Sequence, residues 1–182
     1  MMGKCVSFFV LSFLFLISGK AVDAKKNGSA VYVKYANEII CSFAKEMKEE
    51  FNLYCSGSGG GMPYDVEIIE VGFTAYRNAT IEEARELEVK VTEKLREKIN
   101  QHEKIRPFLR EYPFPASRAK VKISFSKKDG SRPKEGFVAL TFHAKDTIFY
   151  DTATNETEKL VSLAEEPYEE ALKIVQKKAV RL

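Results

Sequence analysis

The segment from Thr80 to Gln101 constrains the fold most strongly, because its apolar residues fall on one face of a single helix. Thr80 and Glu83 have the spacing of a capping box, which predicts that the helix begins directly after Thr80. The apolar residues then recur at helical spacing, at Ile81, Ala84, Leu87, Val91, Leu95 and Ile99. A helix with one such stripe and an otherwise charged surface is typical of a helix that packs on a sheet.

A strand with one exposed face is predicted at 119–126, where Ala, Val, Ile and Phe alternate with Lys and Ser. The same periodicities predict strands at 65–76, 137–143 and 147–151, and helices at 30–52 and from Pro167 onward. The Gly/Ser segment 55–62 and the proline-rich segment 105–115 are predicted to be connections. We expect an α+β two-layer fold, with an antiparallel sheet of three to four strands and about three packed helices.

The first 24 residues have the pattern of a cleaved signal peptide. Lys4 precedes an uncharged apolar run from Val6 to Ile17, and Val22 and Ala24 stand where a signal peptidase reads small residues. A helix formed by this run would be about 18 Å long, well short of the roughly 30 Å hydrocarbon core of a bilayer. We therefore expect an exported protein, periplasmic or secreted, whose single domain covers residues 25–182.

The overall composition argues against several classes of function. A formal net charge of +3 is small for a nucleic-acid-binding protein, and we expect no nucleic-acid partner. Two histidines and three cysteines are too few for a multi-zinc module. His102 and Glu103 start like a zinc-protease helix, but Arg106 occupies the position of the second metal ligand. No metal site and no cofactor are expected.

Cys41 and Cys55 are the two cysteines that remain after removal of the leader, so a disulfide between them is one prediction. If they lay on one unbroken helix they would be about 21 Å apart, whereas a disulfide needs about 6 Å between Cα atoms. Pairing therefore requires the first helix to end near Phe51 and the chain to reverse. The alternative is a pair of semi-buried free thiols.

No residue is assigned to catalysis, but Glu88 and His143 are candidate acid–base residues. The run from Gly57 to Gly61 follows a predicted helix and precedes a strand, which is the wrong order for a phosphate-binding loop. Glu88 lies within the apolar stripe of its helix, and a buried carboxyl there would be able to act as an acid or base. His143 is predicted on the solvent side of its strand, near Asp146 and Asp151.

Two surface features are typical of binding. Arg118, Lys120 and Lys122 are predicted to line the exposed sheet face together with Thr141 and His143, and this charge would attract an acidic protein or an anionic envelope surface. The second feature is the segment around Phe108, Tyr112 and Phe114. Its aromatic residues either anchor a crossover loop to the core or form an exposed recognition edge.

The sequence thus favours an exported, non-catalytic binding protein. Two alternatives stay open. One is a secreted enzyme with acid–base residues among Glu88 and His143, and the other is a secreted enzyme inhibitor. A deep cleft in which two of Glu88, His143 and the Gly/Ser segment 55–62 converge would support the enzyme.

Overall fold

The computed structural model describes residues 31–154 and 159–180, so the predicted leader lies outside the described residues. Helices α1, α2 and α3 span Val31–Phe51, Ile81–Gln101 and Tyr168–Ala179. The six strands β1 to β6 span Tyr54–Gly61, Ile68–Ala75, Ala119–Phe125, Leu140–Ala144, Thr147–Ala153 and Leu160–Pro167. Within the described ranges, no helix is both long enough and apolar enough to cross a bilayer.

The six strands form one mixed sheet in which the spatial order follows the chain, from β1 at one edge to β6 at the other. Strands β2 and β3 are parallel and are joined by the crossover helix α2, whereas every other neighbouring pair is antiparallel. The predicted α+β class is confirmed. The predicted antiparallel sheet of three to four strands is corrected to a mixed sheet of six.

Both additional strands lie at sheet edges. The segment predicted as a Gly/Ser loop forms β1, because it pairs with β2 from Tyr54 opposite Thr74 to Gly61 opposite Ile68. Strand β6 pairs with β5, and the register shifts between Tyr150 and Asp151 of β5. Because of this shift, apolar and polar residues do not alternate regularly along β6. Long-range pairing, and not local propensity, produces these two strands.

The helices cover one face of the sheet. Helix α2 contacts β3, β4 and β5, and it also contacts α1 and α3. The alternate residues of β2 and β3 that point toward the helices are almost completely buried: Ile69, Val71, Phe73, Ala75, Ala119, Val121, Ile123 and Phe125. The Phe43 ring on α1 meets the Phe73 ring edge-on, with 5.9 Å between ring centroids.

The capping box of α2 is confirmed. The Thr80 hydroxyl accepts a hydrogen bond from the Glu83 backbone N–H at 3.3 Å, and the Glu83 carboxylate accepts one from the Thr80 N–H at 2.8 Å. Helix α1 ends at Phe51, where Asn52 takes the left-handed backbone conformation with φ of 56°. This residue lets the chain reverse from α1 into β1.

Two neighbouring glycines of β1 are expected to respond differently to alanine. A Cβ atom at Gly60 would lie 2.3 Å from the Ile68 carbonyl oxygen, whereas one at Gly59 would meet nothing within 4 Å. Gly60→Ala should therefore lower the free energy of unfolding by about 1–3 kcal/mol, while Gly59→Ala should leave it unchanged or raise it by up to about 1 kcal/mol. Urea unfolding of both variants checks this prediction, and equal effects would contradict it.

Candidate functional site

The sheet face that the helices leave uncovered is called the open face. Strand β3 alternates as predicted, so Lys122 is exposed and Lys120 half-buried on this face. Neither lysine forms an ion pair with any residue in the part of the chain that the structure describes. The open face consists mainly of residues from the four central strands: Glu70, Gly72, Thr74, Lys120, Lys122, Ser124, Phe142, Ala144, Phe149 and Asp151.

The prediction that Thr141 and His143 share the face of the two lysines is wrong. Both side chains point toward the helices, and they are 0% and 3% exposed. The register places Phe142 opposite Lys122, so it is Phe142 that occupies the open face. Because the apolar Phe142 faces solvent and the polar Thr141 and His143 face the helices, the alternation along β4 predicts the wrong face for each of these side chains.

The phenylalanines Phe142 and Phe149 form the apolar centre of the open face. They are cross-strand partners on β4 and β5, and their rings stack with 5.1 Å between centroids and 14° between planes. The sequence predictions do not include this pair, although the short turn at Lys145 and Asp146 is enough to predict the register of β4 with β5. A two-residue hairpin loop fixes Ala144 opposite Thr147, which in turn fixes Phe142 opposite Phe149.

A shallow depression of about 170 Å³ lies beside this aromatic pair, lined by Glu70, Lys120, Lys122, Phe142 and Ala144 together with the backbone near Val121 and His143. A second depression of about 290 Å³ lies over β1 and shares Glu70 with the first. The two depressions therefore adjoin at Glu70. This part of the open face combines two lysines, one aromatic pair and a bordering carboxylate.

Arg118 precedes β3 and its guanidinium already has partners. It donates a hydrogen bond to the Glu67 carbonyl oxygen at 3.3 Å and lies 3.4 Å from the Glu111 carboxylate. Its charge is therefore partly neutralised by the chain itself. Of the three predicted basic residues, Lys120 and Lys122 keep their charges available to a partner.

The aromatic segment divides between core and surface. Phe114 is 0% exposed, and its backbone is held on both sides by the Asn100 side chain. Phe108 packs against Tyr32 and Tyr35, with ring centroids 5.8 and 6.3 Å apart. Tyr112 is exposed, with the Arg106 guanidinium over its ring. The segment is thus anchored to the core by Phe114 and partly by Phe108, and Tyr112 is its exposed aromatic residue.

Cys41 and Cys55 are free thiols in the structure, and both are exposed. The chain does reverse after Phe51, as the predicted disulfide required, yet the two sulfurs are not bonded. Cys41 lies outside the buried stripe of α1, whose core residues are Ala36, Ile39, Ile40, Phe43 and Met47. The alternative prediction of semi-buried thiols also understates their exposure.

Glu88 and His143 both lie inside the domain, between the sheet and the helices. Glu88 is fully buried, and burial raises the pKa of its carboxyl well above the ordinary value. The His143 ring stacks on Tyr168 at 4.5 Å, and burial lowers the pKa of its imidazole. Neither the Glu88 carboxyl oxygens nor the His143 ring nitrogens reach solvent. The two residues share a neighbourhood, but it is sealed and forms no cleft that a substrate enters.

His102 does not join a metal-binding cluster. Its ring packs against Tyr35 with 5.8 Å between centroids, and its Nδ1 accepts a hydrogen bond from the Ile105 N–H. Across residues 31–154 and 159–180, no three His, Cys, Asp or Glu side chains come together in an arrangement that would hold a metal ion.

The chain was also compared with protein-family models, with curated proteins and with solved structures, and none of the three comparisons finds a match.

Proposed function

We propose that the protein is an exported, non-catalytic binding protein that holds an acidic segment of another protein on its open face. One observation carries the proposal: Lys120 and Lys122, without ion pairs among the described residues, lie next to the stacked Phe142 and Phe149 on an uncovered sheet face. Aromatic residues are enriched at protein interfaces, whose rims are polar, and charges that complement those of the partner steer its binding.

The arrangement favours a partner with a carboxylate next to an apolar side chain. The lysines supply two ammonium groups within one strand, on residues separated by a single position. The phenylalanine pair supplies a flat apolar surface directly across from Lys122. A short extended segment with both features would meet the two surfaces at once, and charge complementarity would fix its register.

The carboxylates on the same face argue against a uniformly anionic surface as the partner. Glu70 is the register partner of Lys120, and Glu165 is the register partner of Phe149. A phosphate backbone or an anionic bilayer would bring negative charge against these carboxylates as well as against the lysines. A protein segment can place its carboxylates selectively, so it suits the mixed charge better.

The enzyme alternative places its chemistry at Glu88 and His143, and their complete enclosure weighs against it. An inhibitor would use the open face in the same way as any other binding protein. The identity of the captured partner therefore distinguishes an inhibitor from other binding functions.

Charge reversal of the lysine pair tests the proposal. In a pull-down from extracts of the source cells and their surroundings, Lys120→Glu with Lys122→Glu should lower partner capture about tenfold or more, since about 1.4 kcal/mol of lost binding energy already gives that factor. The matched control is Lys173→Glu with Lys177→Glu, two exposed residues of α3 with the same change in net charge. Equal capture by both variants would remove the open face as the binding site.

Two further arms of the experiment separate the partner classes. Vesicles containing an anionic phospholipid and a single-stranded oligonucleotide are each mixed with the wild-type protein. We expect neither to be retained at physiological salt. If the vesicles or the oligonucleotide are retained, and Lys120→Glu with Lys122→Glu abolishes that retention, the partner is a lipid surface or a nucleic acid and not a protein.

A further inference from the structure

A cluster of polar side chains lies buried between α2 and β4, away from the open face. Glu88, Thr92 and Thr141 are 0% exposed and His143 is 3% exposed. They contribute six buried side-chain oxygen and nitrogen atoms without a hydrogen bond of standard geometry in the described chain, and the His143 ring has only a weaker contact, with the Lys145 backbone. This set is called the internal polar site.

The four residues lie on two elements that contact each other, α2 and β4. Glu88 and Thr92 are one helical turn apart on α2, and Thr141 and His143 are alternate residues of β4 that point toward the helices. Tyr150 lies opposite Thr141 on β5, and Tyr168 at the start of α3 stacks on His143. The Glu88 carboxyl is close enough to both tyrosines to help raise the pKa of each hydroxyl, after burial and the nearer carboxylates.

The energy of leaving these atoms unpaired is large compared with the stability of a domain. A buried polar atom without a partner costs about 1–3 kcal/mol, so the four oxygens of Glu88, Thr92 and Thr141 would cost roughly 4–12 kcal/mol. The entire free energy of unfolding of a domain is about 5–15 kcal/mol. Partners for these atoms would therefore stabilise the fold appreciably, and small polar molecules are one source of such partners.

The charged groups of α2 and β6 that approach the site are already paired. On α2, Arg85 pairs with Glu166 of β6, and Arg96 pairs with Glu93. The hydroxyls of Tyr150 and Tyr168 donate to Glu166 and Glu93. The Lys145 backbone acts on His143 through a hydrogen bond, and the charges of Lys120 and Asp146 act on it in opposite directions. The site itself therefore offers neutral donors and acceptors and has no charge that would attract an ion.

We propose that ordered water molecules occupy the internal polar site and bridge Glu88, Thr92, Thr141 and His143. A protonated carboxyl, two hydroxyls and a neutral imidazole each offer both a donor and an acceptor. Water both donates and accepts, so it complements all four, and buried waters of folded proteins typically make about three such bonds. Burial favours the neutral form of both titratable groups, by raising the pKa of Glu88 and lowering that of His143.

A crystal structure at about 1.5 Å resolution or better tests the proposal directly. We expect water density within about 3.2 Å of the Glu88 carboxyl and of at least one of Thr92 Oγ1, Thr141 Oγ1 or a His143 ring nitrogen. Direct hydrogen bonds among these four side chains, with no density between them, would overturn the proposal. Density for a molecule other than water would overturn the assignment of water.

A second measurement uses solution NMR of methyl-labelled threonine. Long-lived water should give cross-peaks to the methyl groups of Thr92 and Thr141 in the wild-type protein. Thr141→Val keeps the shape of the side chain and removes its hydroxyl, so it should weaken the water cross-peak at Thr92. The control is Thr74→Val on the open face, which should leave that cross-peak unchanged. If the wild-type protein shows no cross-peak, the proposal fails.

Discussion

Replacement of Phe114 by alanine is expected to lower the free energy of unfolding by about 3–5 kcal/mol. The Phe114 ring is completely buried in the main core, and the Asn100 side chain holds its backbone through two hydrogen bonds of 2.7 and 3.1 Å. Because the backbone is fixed, the surroundings cannot collapse fully into the space left by the ring. Urea unfolding followed by circular dichroism measures the loss.

Tyr112→Ala is the matched control within the same segment. Tyr112 is exposed and its ring contacts Arg106, a cation–π contact worth about 0.5–1 kcal/mol at an exposed site. We expect the loss of stability to stay below about 1 kcal/mol. Similar losses for the two variants would contradict the division of this segment into a buried anchor and an exposed residue.

Glu88→Gln is expected to remove a pH dependence of stability. Burial raises the folded-state pKa of Glu88 above the unfolded value of about 4.5, so the folded protein binds the proton more tightly than the unfolded chain. Stability from this group is fully present below the unfolded pKa and is lost as pH rises through the folded pKa. Within that window the wild-type protein should lose about 1.4 kcal/mol per pH unit relative to Glu88→Gln.

The measurement is urea unfolding of both proteins between pH 5 and pH 9. The difference between the two stability curves reports on Glu88 alone, because His143 and the surface carboxylates titrate in both proteins. Glu97→Gln, at an exposed position of the same helix, is the control and should follow the wild-type curve. A constant difference between wild type and Glu88→Gln across this range would show that Glu88 titrates alike in the folded and unfolded states.

The elements that the sequence predicts well are those with strong local signals. Helix α2 has a capping box and an uninterrupted stripe, and β3 alternates without exception, so the predicted and observed bounds of both agree within a residue. The lysine pair of the candidate site follows from that alternation alone. In these segments local geometry and tertiary packing favour the same structure.

The remaining elements depend on partners that are distant in sequence. Strand β1 contains four glycines, which disfavour strands, and it is stabilised by its pairing with β2. The predicted phase of β4 is wrong because Thr141 and His143 are polar and yet face the helices. Their burial follows from the register with β3 and β5, which also brings Phe142 and Phe149 together. The aromatic half of the candidate site therefore does not follow from the sequence pattern.

Site-specific photocrosslinking tests the central claim, that a partner binds the open face, and it works even when the partner's identity is unknown. A photoreactive phenylalanine analogue is placed at Ser124, which lies on the open face two residues from Lys122, or at Lys173 on the solvent side of α3. After irradiation in the source cells or their medium, we predict a protein adduct from position 124 that maps to an acidic segment. An adduct from position 173 alone, or from neither position, would contradict the proposed function.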